Sequence, residues 1–308
     1  MATFGGNANQ VAARRRLVAL SLAAVCLGCG GGVVLAQAPN GAAQTLLTQH
    51  DTLGQQLLHN AFARPLVLQS TETAHGMRGD IYALMPYPFA TVSTALQDPQ
   101  QWCEVMILHL NTKYCHAVTG PQGPVLNVNI GTKTPQELTQ AARVALGYNV
   151  AAAEPDYFEV QLHAADGPLG TSDYRIALEA VALPNKQTFL HLTYSYSANL
   201  AGKLAMQVYL STAGSSKVGF TVTGEPVDGQ PTYIDGVRAL VERNTMRYYL
   251  AIDSYLGTAQ AAPSERFERS LQAWFTASER YPRQLHEIEQ PAYLTMKRAE
   301  YVRQQTAQ

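Results

Sequence analysis

Apolar positions change period several times along the chain. Between residues 39 and 63, Leu46, Leu47, Leu53, Leu57 and Leu58 recur at helical spacing and predict a short lead-in helix. From Pro65 the pattern turns to strand, with residues 66–68 and 81–84 flanking a glycine-containing link as a hairpin would. Pro86 and Pro88 end it, and residues 89–96 fit one short helix. A second short helix follows, because Asp98 stands as an N-cap with Pro99 at the first helical position. Trp102, Val105, Met106, His109 and Leu110 continue it at helical spacing.

The chain then becomes almost continuously β. Residues 113–118 and 125–130 are joined by Gly120-Pro121-Gln122-Gly123, 144–153 and 157–164 by Glu154-Pro155-Asp156, and 174–183 and 188–197 by Pro184-Asn185-Lys186. Three consecutive hairpins imply an antiparallel sheet of six strands or more, strongly curved if it encloses anything. Residues 199–212 predict an inserted amphipathic helix, 217–223 a return to strand, and 224–231 a turn-rich link. Residues 233–256 predict a long helix with Val237, Leu240, Val241, Asn244, Tyr248, Ala251, Ile252 and Tyr255 on one face. Residues 259–308 form a charged helical tail broken before Pro282, either docked on the sheet or extended as a partner-binding or membrane-surface arm.

This order of strand, two short helices, long antiparallel sheet and long helix resembles the helix-grip fold of the START-like superfamily, over residues 64–256. The stretch 80–111, DIYALMPYPFATVSTALQDPQQWCEVMILHLN, carries the resemblance best: a first strand leading into paired helices with an acidic N-cap and a buried Trp. The resemblance implies an α+β fold, a curved antiparallel β-sheet gripping a long C-terminal helix, with extra helices. It also implies a cavity between sheet and helix, with a lipid, polyketide or other apolar small molecule as occupant. The helix at 199–212 and the tail lie outside the familiar pattern.

Composition sharpens this picture. Of 308 residues, 46% are hydrophobic and 15% charged, against roughly 25% charged in ordinary soluble domains, so a large core is available and the composition argues against disorder. A formal net charge of -1 supplies no concentrated basic face, which argues against nucleic acid as a partner. Residues 1–38 read as a signal peptide: Arg14, Arg15 and Arg16, an apolar run over 17–27, and Ala36-Gln37-Ala38 before a cleavage point after Ala38. Its removal leaves 19 basic against 23 acidic residues, or -4, and a periplasmic or secreted protein. The alternatives are a twin-arginine route, anchoring by an uncleaved segment, or lipidation at Cys29. Cys103 and Cys115 remain in the mature chain and pair as a disulfide in an oxidising compartment, or stay as two buried thiols.

The candidate site follows from alternation. Tyr194 and Tyr196 share a strand face with Leu190 and Leu192, and Tyr174 shares one with Ile176 and Leu178. Tyrosine combines an apolar body with a hydroxyl and suits an amphipathic ligand. Asn244 and Tyr248 lie on the apolar face of the long helix, and Trp102 and His109 on the second short one. Arg175 is either a polar anchor within the cavity or part of a solvated outer face. Arg243 and Arg247, one helical turn apart, either receive an anionic headgroup or pair with acids. No G-x-S-x-G, S-x-x-K, Walker or dinucleotide pattern occurs, and His286-Glu287 is followed by Gln290 where a zinc helix needs histidine. No cofactor or metal is therefore expected. The leading expectation is an exported binding or carrier protein for a lipid or other apolar small molecule. The alternatives are a cyclase-type cavity enzyme using the tyrosines, His109 and Arg175, and an envelope structural or interaction protein.

Overall fold

The computed structural model describes residues 41–74, 76–199, 202 and 217–306. The signal peptide expected over residues 1–38 and nearly all of the helix expected over 199–212 lie outside the described residues. Strands β1 (Leu66–Glu72) and β2 (Gly76–Met85) form the first hairpin. After them come α2 (Phe89–Leu96) and α3 (Pro99–Met106), preceded in the chain by α1 (Gly41–Leu58). The three later hairpins are β3 (Thr112–Gly120) with β4 (Gly123–Ile130), β5 (Ala142–Ala153) with β6 (Tyr157–Asp166), and β7 (Thr171–Leu183) with β8 (Gln187–Ala198). All eight pair antiparallel in one sheet of order β1-β2-β8-β7-β6-β5-β4-β3. The β2–β8 pairing, Ile81 opposite Leu192, joins the first hairpin to the last strand and places the ends of the domain side by side. Register shifts at Thr112/Tyr114, Val150/Ala152 and Ser172/Arg175 mark bulges, which bend strands and increase local twist.

The two-residue period assigns the faces. Leu190, Leu192, Tyr194 and Tyr196 of β8, Ile176 and Leu178 of β7, and Phe158, Val160 and Leu162 of β6 enter one core with α2, α3 and the long helix α4 (Gly236–Leu256). Phe189, Val181 and Tyr157 point the other way and are covered by Ala43, Leu46, Leu53 and Leu57 of α1. The lead-in helix therefore seals part of the outer face. Helices α5 (Pro263–Ser278), α6 (Pro282–Leu285) and α7 (Gln290–Gln304) supply Leu271, Trp274, Leu285, Tyr293 and Met296 to the inner core, and the described residues form one compact unit. The tail is docked, not extended. Among the described residues no helix is long and apolar enough to cross a membrane.

Local chemistry explains where the elements begin and stop. The Asp98 carboxylate accepts the Gln100 backbone N–H at 2.8 Å, capping α3 behind Pro99. Helical spacing continues to Leu110, yet α3 ends at Met106: Leu108 N–H bonds Val105 O and His109 N–H bonds Met106 O, tight turns that leave His109 on a connector. A disulfide joins Cys103 of α3 to Cys115 of β3, with Cα atoms 5.2 Å apart. The expected strand at 217–223 does not form, apart from a bridge between Val222 and Tyr233. Its backbone is diverted: the buried Glu242 carboxylate accepts the N–H groups of Phe220 at 2.6 Å and Thr221 at 3.0 Å.

Candidate ligand cavity

A cavity of about 460 Å³ opens between the inner face of β7 and β8, the middle of α4, the connector after α3 and the loop after β4. Small-molecule sites commonly span roughly 300–1,000 Å³, so this is enough for a ligand of modest size. Tyr174, Tyr194, Tyr196 and Tyr248 form its aromatic wall. Tyr174 stacks on Tyr196 with centroids 5.4 Å apart, Tyr194 meets Tyr248 at 5.4 Å, and Tyr248 stacks on His109 at 4.8 Å. Burial raises the hydroxyl pKa of all four above the ordinary phenol value, so they are neutral donors and acceptors. Thr171 donates to the Tyr174 oxygen at 3.2 Å, whereas the hydroxyl of Tyr196, 4% exposed, has no partner among the described residues.

Polar groups gather at the other end. His109 is 4% exposed, and its Nδ1 accepts the Asn111 backbone N–H at 3.1 Å. Burial, reinforced by the nearby charges of Arg247, Lys297, Lys133 and Lys113, holds its pKa well below the usual value, so the ring is neutral. With Nδ1 committed as an acceptor, the proton belongs on Nε2. That atom is buried and has no partner among the described residues. Arg247 lies beside it, 1% exposed, donating to Glu287 Oε1 at 2.7 Å and to Asn244 Oδ1 at 3.3 Å. Lys133 donates to the same Glu287 oxygen at 2.6 Å. Burial alone would raise the Glu287 carboxyl pKa, but Arg247, Lys133 and Lys217 overcome it and hold the group below its usual value.

Six of the eight residues proposed from sequence thus meet at one cavity: His109, Tyr174, Tyr194, Tyr196, Asn244 and Tyr248. Trp102 does not. Its indole, 1% exposed, packs in the core and donates to Leu96 O at 2.7 Å, so its burial is structural. Arg175 also lies elsewhere: alternation that turns Ile176 inward turns Arg175 outward, where its side chain is 58% exposed and pairs with Asp173 at 2.9 Å. An enzyme constellation of cavity tyrosines, His109 and Arg175 is therefore not assembled. Arg243, one turn from Arg247, is buried and donates to Val218 O at 3.3 Å. Thr112, Lys133 and Gln136 line the cavity without having been singled out by sequence, because Thr112 is the polar first residue of β3 and the other two sit on a loop with no apolar period.

These assignments predict unequal costs. Arg175→Ala is expected to shift unfolding free energy by no more than about 0.5 kcal/mol. Trp102→Phe, which loses the Leu96 hydrogen bond and some apolar surface, is expected to cost about 1–2 kcal/mol. Urea unfolding of both variants checks this, and a larger loss for Arg175→Ala would contradict its solvated position.

No family model matches the chain, and no curated protein sequence matches it. Among solved structures it is similar to a START superfamily protein from Mycobacterium smegmatis, at 12% identity, covering 49% of this chain and 92% of that one, TM-score 0.29. It is also similar to norcoclaurine synthase from Thalictrum flavum, at 12% identity, 49% and 81% coverage and TM-score 0.32. Ara h 8.0201 aligns at 11% identity, 62% and 97% coverage and TM-score 0.33. The pairing of the strands and the position of the long helix define the architecture directly: the chain has an α+β helix-grip fold, an eight-stranded antiparallel sheet with α4 packed chiefly against β1, β2 and β8 and the other helices around it.

Proposed function

We propose that this protein is an exported binding or carrier protein that holds a lipid or other largely apolar small molecule between the sheet and α4. The observation that carries this reading is the tyrosine-walled cavity together with two buried polar atoms on its lining residues, His109 Nε2 and the Tyr196 hydroxyl, that have no partner among the described residues. Buried polar groups are ordinarily satisfied, so two orphans on residues that line one cavity are accounted for by a ligand that supplies their hydrogen bonds. The apolar faces of four tyrosines supply the remaining contact area at little entropic cost, since each ring has few rotamers. The leader-like residues 1–38 and the Cys103–Cys115 disulfide support an exported location.

Two measurements test this proposal. Protein expressed with its leader and recovered from the periplasm or medium is expected to show a bound small molecule by native mass spectrometry and solvent extraction. The neutral fluorophore N-phenyl-1-naphthylamine is expected to bind it with enhanced emission and to be displaced by the extracted compound. Repeated preparations that carry no molecule and do not bind the fluorophore would overturn the reading.

A further inference from the structure

The charged groups at the cavity are of one sign. Lys133 and Arg247 line it, and no Asp or Glu does so among the described residues. Behind His109 lie two further buried cations, for Lys297 Nζ donates to the His109 backbone oxygen at 3.0 Å and Lys113 Nζ donates to Leu110 O at 3.2 Å. Both are fully buried and share a single carboxylate, Glu300, at 2.6 and 2.9 Å. On the other side Glu287 serves Arg247 and Lys133 and lies 3.8 Å from Lys217. Among the described residues these five cations therefore share two carboxylates, and the excess is positive in a region where low dielectric strengthens charge interactions.

Resting on the binding function proposed above, we propose that the ligand is an anionic amphiphile whose carboxylate lies at the His109 end and whose apolar body lies against Tyr174, Tyr194, Tyr196 and Tyr248. A carboxylate oxygen would accept the Nε2–H of His109, giving a partner to a buried donor that has none among the described residues. Its charge would offset part of the excess left by the shared carboxylates. A phosphate monoester fits less well, because its additional oxygens and second charge call for several uncommitted donors. Arg247 NH2 and Lys133 Nζ are already directed at Glu287. A neutral alcohol would satisfy the histidine but leave the field uncompensated.

Displacement of N-phenyl-1-naphthylamine by dodecanoate, dodecanol and dodecyl phosphate decides between these headgroups on the full mature chain. Dodecanoate is expected to bind at least tenfold more tightly than dodecanol, and more tightly than dodecyl phosphate. His109→Phe is expected to lower the carboxylate-to-alcohol affinity ratio by about tenfold. Lys133→Gln, on a partly exposed loop side chain and safer for folding, is expected to lower the same ratio several-fold. Equal affinity for acid and alcohol, or preference for the phosphate, in a protein that still binds the fluorophore overturns the carboxylate assignment and leaves the cavity reading standing. Failure to bind the fluorophore and all three amphiphiles removes the binding function itself.

Discussion

A chain lacking residues 259–308 is expected not to fold. The segment looks dispensable, since it follows the long helix that completes a helix-grip domain and is rich in charge. Its buried side chains say otherwise: Leu271, Trp274, Leu285, Tyr293 and Met296 all belong to the main core. Each large apolar side chain taken from water contributes about 1.5–3 kcal/mol, so five together are comparable with the roughly 5–15 kcal/mol that stabilises a whole domain. The polar connections point the same way. Trp274 Nε1 donates to Arg247 O at 3.2 Å, and the Tyr293 hydroxyl donates to Leu108 O at 2.8 Å. Deletion would also leave Lys113 and Arg247 without Glu300 and Glu287, their carboxylate partners from the tail. Circular dichroism and limited proteolysis of the truncated and full-length proteins check this. A truncated protein with a native-like spectrum and one cooperative melt would show the tail to be an arm after all.

This dependence was hidden by the same features that made the rest legible. Short-range signals resolved well: Asp98-Pro99 marked the start of α3, and three turn clusters marked three hairpins because turn chemistry is written within a few residues. Alternation identified Tyr194 and Tyr196 as neighbours on one face, and β8 presents both to the cavity. Period two separates the faces of a strand but does not say which is inner. Tyr174 and Arg175 are adjacent, so only one could face the ligand, and Ile176 and Leu178 on the side of Tyr174 decide it. Long-range polar capture was not legible. Glu242 takes the backbone N–H groups of Phe220 and Thr221 and so prevents a strand whose composition favours one. Likewise Lys133 and Glu287, 154 positions apart, meet only because α6 and the residues after it fold back on the sheet domain. The aromatic half of the site was therefore readable as pattern, whereas its electrostatic half depends on tertiary contacts.

Glu300→Ala is expected to be among the most damaging single substitutions in the protein, costing about 3–5 kcal/mol near neutral pH. The side chain holds Lys113 and Lys297 together, and removing it leaves two ammonium groups buried without a carboxylate. The loss should depend on pH in a definite direction. In the native protein burial lowers Lys297 from 10.5 to about 8, against the opposing effect of Glu300, and burial lowers Lys113 too. A lysine whose folded pKa is depressed binds fewer protons folded than unfolded between those two values. Its contribution to stability therefore rises with pH across that window, which for Lys297 runs from about 8 to 10.5. Without Glu300 the folded pKa of Lys297 falls further, and the window opens at lower pH. The variant should thus regain stability relative to the native protein between pH 6 and 9, roughly, as buried amines become neutral and no longer need a counter-charge. Urea midpoints for both proteins across that range measure the difference. A penalty that stays constant with pH would mean that uncompensated lysine charge is not its source, and that loss of Glu300 packing or hydrogen bonding is.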